Sequence, residues 1–351
     1  MAIEVAVDIA VETAVETAGE AGPIDLDTLD LDKLTLVDRS HWGRIRVGDR
    51  DRLTFLHNQS TQTLNFRKPG EVCETTFVTS TARLLDLATV AILADSVLMV
   101  VSPGMAEKLV KVLDRYIFFA DKVTLIDLSA ETVMFSLMGL GSADALKSLG
   151  IDVTAGVVEG TIPVPGGSAN GSVAVTVMAG SGLVTTGYTL MAAMADREAL
   201  WSMLVQIPAL VMNEATFERV RIEQGRPMPG SELTEEYNPL DAGLWSTVSF
   251  NKGCYIGQET IARLESRDAV KMGLWGVKLS ATVAVGTTVW VEGAKAGTMT
   301  SVYELANGSA IGLCYVRTKA AGVGASVQVG TLEVSQTATL LDLPFLNREK
   351  I

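Results

Sequence analysis

Cys254 lies in the run Asn251-Lys252-Gly253-Cys254-Tyr255-Ile256-Gly257-Gln258-Glu259-Thr260, among residue types that turn a thiol into a nucleophile. Lys252 places a cation two positions before it. Gly253 and Gly257 allow a tight turn with close backbone approach. Gln258 to Ser266 reads as a short helix, with apolar Ile261 and Leu264 three apart and acids near its start. A thiol on a loop just ahead of a helix N-terminus, beside an ammonium, is favoured as thiolate. Cys254 is therefore expected to ionise below the free-cysteine value of about 8.5. The competing reading is a small inert hydrophobe, which requires neither the lysine nor the glycines.

Three other stretches carry charge or aromatic character in a suggestive order. Arg219-Val220-Arg221-Ile222-Glu223-Gln224-Gly225-Arg226-Pro227 offers guanidinium groups, of which Arg221 or Arg226 suits bidentate pairing with a carboxylate ligand. The alternative is a solvated salt bridge. Arg221 and Glu223 diverge by about 200° on a helix, so they share a ligand only if the helix ends there, as Gly225 and Pro227 suggest. Asp86, between Leu85 and Leu87, reads as a pocket carboxylate or as a structural cap. In Tyr116-Ile117-Phe118-Phe119, Tyr116 is a candidate for stacking on a flat ligand, while Phe118 and Phe119 read as core packing at a helix end. Gly139-Leu140-Gly141-Ser142-Ala143-Asp144 has the outline of a dinucleotide loop, but Asp144 puts an acid where pyrophosphate would sit. An ordinary strand-to-helix turn is the better reading.

The stretch Lys252 to Glu259 resembles, at all eight positions, the K-G-C-[aromatic]-x-G-Q-E signature of the YgfZ family. The resemblance extends over about Val37 to Val334 and is nearest to the cyanobacterial and chloroplast branch. It implies a tetrahydrofolate-dependent protein that supports assembly or repair of iron–sulfur clusters, with client or assembly proteins as transient partners. It also implies the fold of the glycine cleavage T-protein, an aminomethyltransferase. On this reading Cys254 is the reactive group, tuned by Lys252 and the helix start. Asp86, Tyr116, Arg221, Glu223, Arg226, Lys252, Tyr255, Gln258 and Glu259 would line or support the folate site. Two departures from the T-protein weaken transferase chemistry. Its adjacent pair of aspartates is Asp86-Leu87 here, and its T-G-E-x-G-Y-E segment, whose first glutamate grips the pterin, is Thr185-Thr186-Gly187-Tyr188-Thr189-Leu190 at best, without an acid. A pterin edge is rich in donors that a carboxylate would satisfy, so either Glu223 or Asp86 does that work or the folate is held more weakly. The rival functions are a folate-dependent aminomethyl- or methyltransferase and a folate-binding module without chemistry.

Composition narrows the classes further. A chain of 351 residues is long enough for two or three cores. The net charge of −13 argues against nucleic acid as partner. Cys73, Cys254 and Cys314 are far apart, which excludes a disulfide framework and a C-x-x-C site. With only His41 and His57 to add, neither a four-ligand metal centre nor a resident iron–sulfur cluster is expected. Free thiols suit a reducing compartment. The apolar stretch Leu87 to Val101 contains Asp95 and is too short to span a bilayer. Cytoplasm, or stroma in a plastid-bearing organism, is the expected location.

The positioning elements follow from periodicity. Met1 to Lys33 is an acidic leader with Glu4, Asp8, Glu12 and Glu16 at four-residue spacing, which weakens a helix and does not suit a transit peptide. It is expected to be disordered. Strands are predicted at 42–47, 75–79, 84–93, 97–101, 122–127, 132–137, 173–177 and 187–191. Helices are predicted at 49–58, 195–206, from Ser102-Pro103 to Tyr116 with Ser102 as N-cap, and from Asn213 to Gln224. Gly166 to Gly171 reads as a polar loop. From Leu274 onward short alternating strands at 274–279, 288–292, 296–303, 310–316 and 326–329 predict a small antiparallel barrel, with Cys314 in its core. The predicted fold is α+β and T-protein-like: an acidic leader (1–33), a folate-binding region of two interleaved α+β subdomains (34–272), and a C-terminal β-barrel (273–351).

Overall fold

The computed structural model describes residues 30, 32–154, 156–164 and 171–349. Nearly all of the acidic leader and most of the Gly166–Gly171 loop lie outside the described residues.

Two sheets and a barrel share the chain. The first sheet is antiparallel, in the order Val72–Val78, Leu84–Ile92, Val97–Val101, Gly43–Gly48, Thr124–Asp127. Helices Arg52–Gln59 and Ala106–Asp114 cover one face, where Ile45, Val47, Phe77, Ala88 and Val90 meet Phe55, Leu56 and Leu109. Because side chains alternate along a strand, Phe77 points to the helices while Val72, Glu74 and Thr76 share the opposite face. The second sheet runs Leu210–Met212, Thr35–Asp38, Thr132–Met138, Gly187–Ala193, Ser172–Ala179, Val157–Pro163, and only its Leu210–Met212 edge is parallel. Helices Ser142–Ser148 and Arg197–Leu204 cover its outer face. The inner faces of the two sheets meet through Val37, Trp42, Ala91, Leu98, Val100, Met134, Met178 and Phe217. From Thr35 the described chain thus contributes a strand to the second sheet, leaves to build the whole first sheet, and returns, which is the interleaving expected.

The C-terminal barrel is closed by six antiparallel strands. Five correspond to the predicted ones. The sixth, Ser335–Leu341, buries only Ala338 and Leu340 and alternates them with polar residues, so its apolar signal is weak. Cys314 is fully buried in the barrel core. Three strands of the second sheet, Thr35–Asp38, Val157–Pro163 and Leu210–Met212, were not anticipated from the sequence.

Helix Glu214–Gln224 ties the three units together. The Asn213 side chain accepts from Thr216 N at 2.9 Å, so it is the N-cap. Gly225 ends the helix at φ 88°, and a Cβ there would stand 2.7 Å from Leu343 Cβ. Phe217 and Val220 enter the inter-sheet core, and Ile222 enters the core beneath the barrel with Leu313, Tyr315 and Leu346.

Two local expectations are corrected. Ser102 caps no helix: the helix begins at Ala106 after Met105, and the Ser102 N–H instead donates to Asp86 Oδ2 at 2.9 Å. Phe118 and Phe119 are not core but 72% and 104% exposed. A turn closed by Phe118 N to Asp121 Oδ2 (2.8 Å) and Asp121 N to Phe118 O (2.9 Å) holds this segment on the surface, while Tyr116 and Ile117 pack against the core.

Candidate active site

The signature loop is anchored by its lysine and presents its cysteine. Lys252 is buried, and its ammonium donates to the carbonyls of His57, Ser60 (2.7 Å) and Gln62 (2.7 Å). These are orphan acceptors at and just after the end of helix Arg52–Gln59, where a cation is favourable. Nζ also lies 4.6 Å from the centre of the buried Tyr255 ring. All three ammonium protons are therefore used within the frame, and none is left to donate to the Cys254 thiol. Burial pushes the Lys252 pKa down to about 7, and the three carbonyls oppose that by favouring the charged form. Ile256 N to Asn58 O (3.0 Å) and Ser249 N to Thr61 O (3.0 Å) bind the rest of the loop to the same segment.

Cys254 itself is exposed, three residues before Gly257, the N-cap of helix Gln258–Ser266. Gly257 has φ 82°, and a Cβ on it would stand 3.0 Å from the Thr79 carbonyl oxygen and 3.1 Å from Ala82 Cα. Only glycine fits this approach. The turn it presses on, Thr79 to Arg83, leads directly into the strand that carries Asp86. Gln258 reaches the Lys252 carbonyl at 3.5 Å, and Glu259 is exposed in the first helical turn. The other two thiols are held protonated: burial pushes Cys73 up to about 11 and Cys314 up to about 12.

A second polar group lies inside the molecule. Asp86 is fully buried; Oδ2 accepts from Ser102 N and Oδ1 has no protein partner. Burial raises its pKa to about 6 against the opposing Ser102 N–H hydrogen bond and the Arg226 charge. A carboxyl with that value can take or give a proton near neutral pH. Arg226 is buried too, and its Nε and Nη1 have no protein acceptor. Its guanidinium lies 4.8 Å from the Trp42 ring centre and 5.5 Å from that of Phe345. Glu74 completes this group: burial raises its pKa, and the Arg226 charge partly offsets that.

The remaining candidates are placed elsewhere. Arg221 has five N–H donors and five protein acceptors: both oxygens of Glu218, the Arg226 carbonyl (3.2 Å), Glu232 Oε2 (3.2 Å) and Ser301 Oγ (2.9 Å). Glu232 is itself fully buried and takes Ser301 Oγ at 2.6 Å. Arg221 thus rivets its helix to barrel strand Ala294–Glu304, and a ligand carboxylate would have to displace one of these partners. It also lines a cavity of about 520 Å³ with Trp42, Phe217 and Met228. Glu223 pairs with Arg219 at 3.0 Å, on a helix that continues through Gln224 rather than ending between them. Tyr116 is half-buried against the helices of the first sheet. Thr186, where the T-protein glutamate was sought, is exposed, and its neighbour Thr185 is clamped by Gln224 Nε2 at 2.7 Å.

Sequence reasoning missed Arg39, Trp42 and Glu74. Arg39 and Trp42 are each 1% exposed, and the Arg39 guanidinium lies 3.8 Å from the Trp42 ring centre. The only available signal was Glu74 on an otherwise apolar and threonine-rich strand. Arg39 and Trp42 sit in the hydrogen-bonded link between the two sheets, which periodicity does not mark.

An interleaved pair of α+β sheets, a closed barrel and a central polar group define a protein class, and comparison with known proteins identifies it. The GCVT N-terminal domain model matches residues 31–252, and the glycine cleavage T-protein C-terminal barrel domain matches 273–347. The chain belongs to the glycine cleavage T-protein family. A chloroplastic protein of Arabidopsis thaliana, named as a candidate transferase, is 39% identical over 325 residues, covering 92% of this chain and 74% of that one. An aminomethyltransferase of Corynebacterium jeikeium is 26% identical over 90% of this chain and 88% of that one. The crystal structure of the glycine cleavage system aminomethyltransferase T from Bartonella henselae superposes with a TM-score of 0.74 at 18% identity, covering 91% and 88% of the two chains, and shares the fold.

Proposed function

We propose that this chain is a YgfZ-type member of the family: a tetrahydrofolate-binding protein that uses Cys254 to support iron–sulfur cluster assembly or repair in client enzymes. The observation that carries the reading is the pairing of an exposed thiol, on a loop pinned by a buried lysine, with an interior group of unpartnered polar atoms. The interior fits a folate chemically. Asp86 Oδ1 is an acceptor without a partner, Arg226 offers free donors, and Glu74 adds a second carboxylate for a donor-rich ring edge. Folate, when bound, supplies one-carbon chemistry. Asp86 would hold or release a proton beside it, and Arg226 would hold an oxygen of the ligand. Cys254 stays at the surface, where a client protein can reach it, with cytoplasm or stroma as the setting.

Titration calorimetry of the reduced protein with tetrahydrofolate, alongside complementation of a deletion strain assayed for cluster-dependent enzymes, tests this reading. Binding weakened by Asp86→Ala, and rescue lost with Cys254→Ala, are expected. No heat at millimolar folate, or full rescue by Cys254→Ala, would sink it. Asp86 also favours a second reading, a T-protein-type aminomethyltransferase, since a buried carboxyl of raised pKa suits proton transfer during methylene transfer. A rate comparable to T-protein in a reconstituted glycine cleavage assay would establish that alternative; a negligible rate is expected, because no acid stands at Thr186.

A further inference from the structure

Among the described phenylalanines, tyrosines and tryptophans only Phe66, Phe118 and Phe119 are exposed. All three stand at the ends of one helix, Arg52–Gln59. The turn that carries Phe118 and Phe119 is tied to its N-terminal end: Lys122 N donates to Asp51 Oδ2 at 2.9 Å, and Asp51 N to the Lys122 carbonyl at 3.0 Å. Phe66 and Cys254 belong to its C-terminal end. Leu64 N donates to His57 Nδ1 at 3.2 Å just before Phe66, and Lys252 holds the carbonyls of His57, Ser60 and Gln62 just before Cys254. Eight residues of helix span about 12 Å. The exposure of the phenylalanine pair is built in, because hydrogen bonds on both sides of the turn fix it. Large apolar side chains that a rigid turn keeps in water gain nothing for the fold and suit the core of an interface.

Charge narrows the partner. Residues 43–127 hold 11 Lys and Arg against 10 Asp and Glu, a net of +1, so the rest of the chain carries −14 of the total −13. Near the turn Lys108, Arg115 and Lys122 are exposed, and no carboxylate among the described residues stands within ion-pair distance of them. The acids beside them are engaged, Glu107 by Lys111 and Asp121 by Phe118 N, which leaves Asp114 against three cations. Screening limits exposed charges to about 8 Å at physiological ionic strength, so these local cations outweigh the acidic remainder for a partner docking here. We propose that Phe118 and Phe119 anchor the client protein, which presents an apolar pocket rimmed by carboxylates, and that Cys254 lies inside the same contact. This rests on the function proposed above. A standard interface of about 800 Å² per partner is roughly 30 Å across, enough to cover both ends of the helix. A bilayer would cover the phenylalanines but offers the thiol no client.

The test uses the full chain in the deletion strain, and the purified cluster enzyme whose activity the wild type restores. Phe118→Ser/Phe119→Ser should lower the restored activity at least tenfold and weaken calorimetric binding to that enzyme at least tenfold. Its thermal midpoint, tetrahydrofolate titration and Cys254 alkylation rate should match the wild type. Arg115→Glu/Lys122→Glu should slow association with the enzyme and flatten its salt dependence, as rim charges do. Full rescue by the phenylalanine variant, with rescue lost in Cys254→Ala, would overturn the docking surface and leave the function standing. No rescue by the wild type would remove the function and the docking surface with it. A midpoint that falls in the phenylalanine variant would make the pair structural. Binding to vesicles of equal phosphatidylglycerol and phosphatidylcholine, or a dimer in sedimentation velocity, that the same variant abolishes would assign the patch to a lipid surface or to a second copy. Each of these three results would overturn the proposal.

Discussion

Arg221 and Arg226 are five residues apart and equally buried, yet their surroundings are opposite. At the barrel junction Arg221 has an acceptor for every donor, two of its partners being carboxylates. In the inter-sheet centre Arg226 has free Nε and Nη1, and its two nearby acids, Glu74 and Asp86, act on it only at a distance. A saturated buried charge fixes structure, because every change of position breaks a bond. An unsaturated one costs stability and retains the capacity to bind. The signature loop repeats the first pattern at Lys252, whose three protons meet three carbonyls, and Arg39 repeats the second. The contrast separates frame from site within one family fold.

The largest effect should come from breaking the saturated junction. Glu232→Ala leaves Arg221 buried with part of its charge unmatched and should cost about 3–5 kcal/mol in urea unfolding; a loss below about 1 kcal/mol would erase the contrast. Lys252→Met orphans three carbonyls and should cost roughly 2–4 kcal/mol, with faster amide exchange at the end of helix Arg52–Gln59. The centre should respond to pH instead. Asp86 has a folded pKa of about 6, above its ordinary 3.8, so the folded state holds more protons than the unfolded state between those values. Its contribution is complete below about pH 4 and is lost as pH rises through about 6, a fall on the order of 2–3 kcal/mol. Asp86→Asn should flatten that slope, and an unchanged slope would place the titration elsewhere. Arg226→Met, which swaps an unmatched cation for an apolar chain of similar length, should change stability by about 1 kcal/mol or less, in either direction. It should nonetheless weaken tetrahydrofolate binding at least tenfold by calorimetry; a loss of stability matching Glu232→Ala would show that Arg226 is frame after all.

These regions were unequally legible in the sequence. The barrel and the first sheet could be read because their strands alternate or run apolar for five to nine residues. The edge strand Leu210–Met212 spans only three residues, and Ser335–Leu341 is largely polar outward, so neither gave a pattern. The signature cysteine was legible because glycines at fixed offsets mark a turn, and Gly257 does make the close approach. The role of Lys252 was not, since sequence spacing places an ammonium near a thiol but cannot say that helix-end carbonyls lie nearer. Arg221 and Arg226 look alike on paper. Which one is saturated depends on Glu232 and Ser301, the latter eighty positions away on the barrel.

The smallest effect on stability should belong to Cys254, and it would sharpen the contrast most. Its side chain is exposed on a loop already held by Lys252, Tyr255 and Gly257, so Cys254→Ala removes almost no packing. The expected change is within about 0.5 kcal/mol, as for surface positions generally. Reactivity should move the other way. Cys73 and Cys314, pushed up to about 11 and about 12 by burial, are protonated and shielded at pH 8. Alkylation with mass-spectrometric site assignment should therefore label Cys254 well ahead of both in the native chain, and denaturation should level the three. If Cys254 were labelled no faster than Cys73, the frame would be holding a thiol that it does not present. Rapid labelling with unchanged stability would mean that the buried lysine fixes where the sulfur stands without itself bonding to it.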